Sequence, residues 1–229
     1  MTDISFPSRW PPQDATRLQL YSMNTPNGQK VSICLEEMGL QYDAHLIHIG
    51  KGDQHNPEYL KINPNGKIPS LLDPQGPDGK PIALMESIVI LLYLADLSGM
   101  LLPKDRRQRL EHLQWLTFQA AHIGPMFGQF GHFFVYARDK TSDSYSLERY
   151  TNETRRLLKI LDERLASRPF IMGDYSIVDI AIMPWVECLS GFYKATEQLK
   201  LAEFENVLGW QKSIAARKAY QIGKDVCAP

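Results

Sequence analysis

The spacing of hydrophobic residues changes along the chain and divides it into two domains. Between residues 16 and 98 the spacing alternates between strand and helix periods, which is typical of a β-α-β unit followed by a β-hairpin and a helix. The predicted elements are the strands Arg17–Tyr21, Ala44–Ile49, Ile68–Leu72 and Pro81–Leu84, the helices Lys30–Met38 and Ser87–Leu97, and a short helix within Gly50–Lys61. This order predicts a small α/β domain with a mixed four-stranded sheet.

After Gly99 the chain shows helical spacing only. Leucines recur on one helical face around Leu110–Ala120 and again around Leu157–Leu165. Several glycines and a proline between these two stretches predict a helix that bends or is interrupted. With a final helix predicted over Val207–Ala216, the sequence indicates an all-helical second domain over residues 104–229.

The helix predicted over Ile177–Leu189 begins with a capping signature. Ser176 precedes its first turn, and Asp179 stands three residues later, where a carboxylate can accept from the backbone N–H of the capping residue. We interpret both residues as structural. On capping alone, Asp179→Ala is expected to cost about 0.5–2 kcal/mol.

Composition and charge narrow the function classes. The chain has 229 residues, of which 44% are hydrophobic and 22% are charged, as expected for an ordinary globular protein. Lys plus Arg number 25 against 26 Asp plus Glu, so neither nucleic acid nor an anionic membrane is predicted as a partner. No apolar run reaches membrane-spanning length and the N-terminus shows no signal-peptide pattern, so a cytoplasmic location is predicted.

Two further features bear on the class of protein. Cys34, Cys188 and Cys227 are widely spaced and form no C-x-x-C pair, which argues against a disulfide framework and against a zinc site, and no metal is predicted. Residues 1–15 are rich in proline and polar side chains and are interpreted as an extended N-terminal arm of open function.

The first turn after a strand is the leading candidate for chemistry. Ser22, Asn24, Thr25 and Asn27 precede a predicted helix, and Pro26 suits a first helical position. A helix N-terminus carries unpaired amides and the positive end of the dipole, so it can stabilise a phosphate, carboxylate or thiolate. The sequence of the turn alone does not identify the anion that would bind there.

Two other short motifs each have a structural and a functional interpretation. Pro69 stands at a strand entrance, where the Ile68–Pro69 bond could be cis and turn the backbone outward, although a trans bond is far more common. Glu86 and Ser87 stand just before an apolar helix. They could cap it, or Glu86 could hold a ligand ammonium.

The ordered combination of these motifs resembles the cytosolic glutathione transferases, from about residue 16 to 217. It comprises a Thr-Pro-Asn-Gly helix start, Asn63-Pro-Asn-Gly-Lys-Ile-Pro69, Glu86-Ser87 and the Ser176-Ile-Val-Asp179 box. Four stretches are similar to the Nu class of bacterial enzymes: Thr25-Pro-Asn27-Gly, Gly50-Lys-Gly-Asp-Gln54, Gly124-Pro-Met-x-Gly-Gln129 and Glu148-Arg149-Tyr150. The resemblance implies a thioredoxin-like N-terminal domain followed by an all-helical domain.

The resemblance also implies roles for individual residues. Glu86 would accept from the γ-glutamyl ammonium of glutathione, and Ser87 with its helix N-terminus would hold the γ-glutamyl carboxylate. Ile68 would pair its backbone with the cysteinyl part, and Gln54 and Lys67 would lie toward the glycyl end. Arg149 would bind a second glutathione or the carboxylate of glutathione disulfide. The alternative interpretation is a solvated arginine on a helix.

For the thiol of glutathione, the resemblance points to Thr25 and Asn27 at the helix start. Such a position can lower a thiol pKa from about 8.5 to roughly 3.5–7.5. Tyr21, Ser22 and Asn24 are nearby alternatives, although Tyr21 is interpreted as packing. Cys34 lies inside the helix, so a protein thiol is not expected to react.

The resulting hypothesis is a homodimeric enzyme that reduces small disulfides with glutathione as co-substrate and attacking thiolate, without a protein cysteine. Glutathione conjugation to small electrophiles, or a glutathione peroxidase activity, is the alternative within the same family. A non-catalytic glutathione-binding or regulatory protein is the alternative from another class.

Overall fold

The computed structural model describes residues 5–142 and 144–229. The first four residues of the predicted arm lie outside this range. The chain divides into two compact units, one reaching Met100 and including Lys218–Pro229, the other spanning Leu101–Arg217. Among the described residues, no helix is long and apolar enough to cross a membrane.

The first unit is built on a mixed sheet of four strands. They are β1 (Leu18–Ser22), β2 (Tyr42–Leu46), β3 (Ser70–Asp73) and β4 (Ile82–Leu84), in the spatial order β2-β1-β3-β4. β1 pairs parallel with β2 and antiparallel with β3, and β3 pairs antiparallel with β4. All five residues of β1 are buried, as expected for a central strand that is covered on both faces. The predicted mixed sheet is confirmed.

The helices α1 (Pro26–Met38), α2 (Pro57–Ile62) and α3 (Ser87–Ser98) accompany the strands within the first 100 residues of this unit. α1 begins four residues before the predicted Lys30, because Thr25 caps it and Pro26 occupies its first turn. Gly39 ends α1 in the left-handed conformation, with φ of 62°. Two short 3₁₀ turns, Ile49–Lys51 and Asp53–His55, fill the loop before α2.

The second unit is helical. Its helices are α4 (Arg106–Phe118), α5 (Gly124–Gly131), α6 (Ser144–Leu165), α7 (Ile177–Ser190), α8 (Thr196–Leu199) and α9 (Glu205–Ala215). The predicted interruption takes the form of two π-helical segments, Gln119–Ile123 before α5 and His132–Tyr136 after it. The first segment ends two residues before Pro125, whose missing N–H could not continue a regular helical ladder.

Asp179 connects three parts of the second unit. The predicted capping box is present, because Ser176 Oγ accepts from the Val178 N–H at 3.2 Å and Asp179 accepts from the Ser176 N–H at 3.0 Å. Asp179 also accepts from the Ile171 N–H at 3.0 Å and from Trp210 Nε1 of α9 at 2.9 Å. The carboxylate, which is fully buried, therefore ties α7 to two distant segments.

The C-terminal segment departs from the predicted domains. A further helix, α10 (Lys218–Gly223), follows α9 and packs on α1 of the first unit. Ser32 Oγ donates to the Gly223 carbonyl at 2.6 Å, and a Cβ added to Gly223 would lie 2.6 Å from Ile33 Cα. The helical unit consequently ends at Arg217 and not at residue 229, since residues 218–229 are held by contacts with α1.

Candidate functional site

The turn between β1 and α1 is held tightly by its own backbone. Thr25 Oγ1 accepts from the Gly28 N–H at 3.4 Å, so the hydroxyl hydrogen of Thr25 is not used in that bond. A Cβ added to Gly28 would lie 1.9 Å from the Met23 carbonyl oxygen, which explains why glycine occupies the position. The turn also donates the Asn24 N–H to the Cys227 carbonyl of the C-terminal segment at 3.3 Å. Thr25 and Asn27 are thereby fixed at the start of α1.

A cavity of about 140 Å³ lies in the first unit and brings together most of the predicted site residues. Its lining includes Asn27, Lys67, Ile68, Pro69, Glu86 and Ser87. These residues come from the α1 turn, the segment before β3, and the start of α3. Residues more than 55 positions apart in the sequence therefore share one polar opening.

The segment before β3 presents its backbone to this cavity. The Ile68–Pro69 bond, whose isomer the sequence left open, is cis. In the described part of the chain, no hydrogen bond uses the N–H or C=O of Ile68. A ligand with an extended backbone could therefore pair with both groups.

Asn63 and Tyr59, which the sequence analysis did not identify, hold this segment in place by hydrogen bonds. Asn63 Nδ2 donates to the Lys67 carbonyl at 2.8 Å and to Ser70 Oγ at 3.1 Å. The Tyr59 hydroxyl, which is fully buried, contacts the same carbonyl and the same serine. Asn63 was part of the recognised Asn-Pro-Asn-Gly motif, but its anchoring role follows only from the folded geometry.

The start of α3 does not fit the capping interpretation of Glu86 and Ser87. Glu86 occupies the N-cap position with φ of 66° and ψ of 110°, and its side chain makes no capping hydrogen bond. A positive φ at a non-glycine residue costs of order 1–3 kcal/mol and persists where the surroundings enforce it, which is common at functional sites. The N-terminus of α3, whose first residue lines the cavity, thus has no side-chain cap, and its first amides are available to bind an anion.

Sequence reasoning also missed Lys30. This residue of α1 is only 2% exposed, and its Nζ donates to Ser87 Oγ at 3.3 Å. Burial lowers the pKa of Lys30 to about 7, while the neighbouring Glu86 carboxylate acts in the opposite direction. Nothing in the sequence around Lys30 indicates its burial, because lysine is normally exposed.

Gln54 and Arg149 lie outside the 140 Å³ cavity. Gln54 belongs to the 3₁₀ turn Asp53–His55, and its Oε1 is buried without a hydrogen-bond partner among the described residues. Arg149 is an exposed residue of α6 in the second unit, where it lines a cavity of about 590 Å³ with His122, Glu153 and Arg156. Its exposure is compatible with both interpretations of its role.

Two other groups considered for the chemistry, Tyr21 and Cys34, are buried. Tyr21 is fully buried and stacks on His45 with ring centroids 4.6 Å apart, which confirms that it packs in the core. Cys34 is also fully buried, and burial raises the pKa of its thiol far above the ordinary range. Among the described residues, no three His, Cys, Asp or Glu side chains are grouped as metal ligands.

The N-terminal arm, whose role the sequence left open, packs against the loop that carries Gln54. Arg9 pairs with Asp53 at 2.7 Å, and Ser8 donates its N–H to Glu58 at 2.8 Å. Trp10 meets Tyr59 edge-on, with ring centroids 6.5 Å apart. The arm therefore belongs to the first unit from residue 5 onward.

We predict that Arg9→Met loosens this loop without unfolding the unit. Asp53 is 6% exposed and keeps one bond, from the His48 N–H at 3.0 Å, so the cost in stability should be about 1 kcal/mol. Amide hydrogen exchange should become faster across residues 48–56. The matched control is Arg107→Met, because Arg107 is an exposed residue of α4 that pairs with Glu111 on the same helix. Unchanged exchange across residues 48–56 would contradict this role of the arm.

These features define a class of protein in which a thioredoxin-like unit, with two helix N-termini at its polar cavity, precedes an all-helical unit. A family model described as glutathione S-transferase, N-terminal domain, matches residues 25–97, and one described as glutathione S-transferase, C-terminal domain, matches residues 123–218. The chain belongs to the glutathione S-transferase family.

Individual relatives agree with this assignment. The chain is 44% identical to the disulfide-bond oxidoreductase YghU of Escherichia coli over 218 residues, which cover 91% of this chain and 74% of that protein. It is similar to a glutathione transferase from Burkholderia graminis, solved with two glutathione molecules per subunit, at 50% identity and a TM-score of 0.93 over 95% and 91% of the two chains. It is also similar to a glutathione transferase from Pseudomonas putida, solved with one glutathione disulfide per subunit, at 47% identity and a TM-score of 0.92 over 94% of each chain.

Proposed function

We propose that this protein is a glutathione-dependent enzyme that reduces small disulfides, with glutathione as the attacking thiol. The observation that carries the proposal is the α1 turn, where Asn27 lines the polar cavity, Thr25 caps the helix two positions earlier, and no cysteine is present. The names of the relatives support it, since one is a disulfide-bond oxidoreductase and another was solved with glutathione disulfide.

In this proposal the cavity binds the γ-glutamyl and cysteinyl parts of glutathione. Glu86 accepts from the γ-glutamyl ammonium, and Ser87 with the first amides of α3 binds the carboxylate. The Ile68 N–H and C=O pair with the cysteinyl backbone. Lys67 and Gln54 lie toward the glycyl end, and because Gln54 is outside the cavity, the glycyl part would extend beyond it.

Thr25 and Asn27 then stabilise the thiolate of glutathione by donating hydrogen bonds to its sulfur. The thiolate attacks one sulfur of the substrate disulfide, forms a mixed disulfide, and releases the other sulfur as a thiolate that takes up a proton. A second glutathione thiolate attacks the glutathione sulfur of the mixed disulfide, which yields glutathione disulfide and the second substrate thiol. Arg149 is proposed to bind a carboxylate of this second glutathione.

The protein is further proposed to act as a homodimer in the cytoplasm. α3 exposes Val89 and Leu97 at 47% and 50%, and Met85 and Met100 near its ends are also exposed. Exposed apolar side chains grouped along one helix are typical of an interaction surface. The three cysteines are unpaired, which is compatible with a reducing compartment.

The proposed function is tested by Thr25→Ala and Asn27→Ala. Each should lower kcat/KM for glutathione-dependent reduction of 2-hydroxyethyl disulfide by about 10- to 1,000-fold, because each removes a donor to the developing thiolate. The Kd of glutathione, measured by calorimetry, should change much less. Thr196→Ala is the matched control, since Thr196 is an exposed residue of α8.

The same assays separate the alternatives. A higher kcat/KM with an aryl halide or a hydroperoxide than with the disulfide would favour a transferase or a peroxidase. Wild-type protein that binds glutathione but turns over none of these substrates would indicate a regulatory protein. Unchanged disulfide reduction by both variants would overturn the roles given to Thr25 and Asn27.

A further inference from the structure

Lys30 is a buried cation that the proposed chemistry does not yet use. Lysine is rarely buried to this degree, because removing an ammonium from water is costly unless a partner compensates. Lys30 lies in α1 at 2% exposure, and α1 packs against both α3 and α10. Its ammonium is directed at the first residue of α3, since it contacts Ser87 Oγ.

The chemistry of this contact fixes the direction of the Ser87 hydroxyl. In its ammonium form, which the Glu86 carboxylate favours, Lys30 has three donors and no acceptor, so Ser87 Oγ accepts from it. The hydrogen of the hydroxyl therefore points to some other acceptor. Ser87 is 8% exposed and lines the 140 Å³ cavity, so an acceptor bound in that cavity can take this hydrogen.

We propose that Lys30 is a positioning residue, which orients the Ser87 hydroxyl and selects a ligand that carries a carboxylate at the start of α3. The inference rests on the proposed function, where that carboxylate is the α-carboxylate of the γ-glutamyl group. Lys30 itself does not touch the ligand but acts through Ser87.

Charge complementarity supports the assignment. Glu86 precedes Ser87 in the chain and Lys30 contacts its hydroxyl, so a carboxylate and an ammonium both lie near Ser87, and the amino acid end of a γ-glutamyl ligand carries the same two charges. Glu86 is the charged group whose field acts on Lys30, and it favours the ammonium form. A ligand carboxylate next to Ser87 acts in the same direction, and its attraction is strong because the surroundings of Lys30 are dry.

The test compares two ligands that differ only in this carboxylate. Glutathione and γ-aminobutyryl-cysteinyl-glycine, which lacks the α-carboxylate, are titrated by calorimetry into wild-type protein and Lys30→Met. Wild type should bind glutathione at least about tenfold more tightly, since a charge-assisted hydrogen bond is at stake. Lys30→Met should raise the Kd of glutathione about tenfold, and should leave the Kd of the analogue within about twofold.

A double-mutant cycle tests whether Lys30 acts through Ser87. In a Ser87→Ala background, Lys30→Met should change the Kd of glutathione by less than about twofold, because the hydroxyl that it orients is gone. In steady-state disulfide reduction, Lys30→Met should raise KM for glutathione and leave kcat unchanged. Lys61→Met is the control, since Lys61 is an exposed lysine of α2. Lys30→Leu, which likewise removes the donor to Ser87, replaces Lys30→Met with the same expected results if the methionine variant does not fold.

The outcomes distinguish this inference from the proposed function. Wild-type protein that binds neither ligand overturns the proposed function. Wild-type protein that binds glutathione, together with a Lys30 variant that weakens both ligands equally, shows that Lys30 is structural and overturns the inference. Equal binding of both ligands by wild type overturns it as well.

Discussion

Replacing Asp179 with alanine is expected to lower the free energy of unfolding by at least about 3 kcal/mol. The loss exceeds the capping estimate, because the carboxylate accepts from Ile171 and Trp210 as well as from Ser176. All three donors lie in a region that water does not reach, and an unsatisfied buried donor costs about 1–3 kcal/mol.

The measurement is urea unfolding followed by tryptophan fluorescence, with Asp105→Ala as the control. Asp105 caps α4 through the Gln108 N–H at 2.9 Å and is exposed, so its loss should cost about 1 kcal/mol. Equal effects of the two substitutions would mean that the contacts to Ile171 and Trp210 add nothing to capping.

Truncation of the chain after Arg217 should have the second large effect, a loss of roughly 4 kcal/mol or more in the first unit. It removes Tyr220, which is 1% exposed, and the bonds of Gly223 and Lys224 to α1. It also removes the Cys227 carbonyl that binds the Asn24 N–H. Glutathione binding should weaken together with stability, because that bond holds the α1 turn.

The thermal midpoint and the Kd of glutathione are measured for the truncated protein and for a control that lacks only residues 228 and 229. Both control residues are exposed, so the control should behave as wild type. A truncated protein that melts at the wild-type temperature would show that α10 is dispensable to the first unit.

The sheet was predictable because its strands alternate with helices in short, regular blocks. The bounds of β2 were less accurate. The prediction began at Ala44 and ran to Ile49, whereas the strand is Tyr42–Leu46, because apolar residues continue beyond its end. Ile47 lies just outside the strand, yet it is fully buried and its N–H donates to the Ser22 carbonyl of β1 at 2.8 Å, so burial and hydrogen bonding continue one residue past the end of β2.

α10 could not be predicted from local pattern. Its six residues are too few to show an apolar stripe, and a helix of that length is unstable alone. The contact that stabilises it, between Gly223 and Ile33, joins residues 190 positions apart. Sequence periodicity carries no information on such a contact.

The candidate site, too, could be predicted only in part from local sequence patterns. Short motifs located Asn27, Ile68, Glu86 and Ser87, which the fold then brings to one cavity. Lys30 was missed because charge normally indicates exposure, and only the packing of α1 against α3 reveals its burial. Such exceptions to local rules are expected where a site requires them.

The position of the C-terminal segment has a practical consequence for spectroscopy. Cys227 is the partly exposed member of the three cysteines, while Cys34 and Cys188 are buried. A maleimide dye should therefore attach preferentially at Cys227, slowly because burial raises the pKa of that thiol to about 11. The dye would be attached next to Asn24, at the start of the α1 turn. The natural sequence thus offers a fluorescent reporter of ligand binding without any introduced residue.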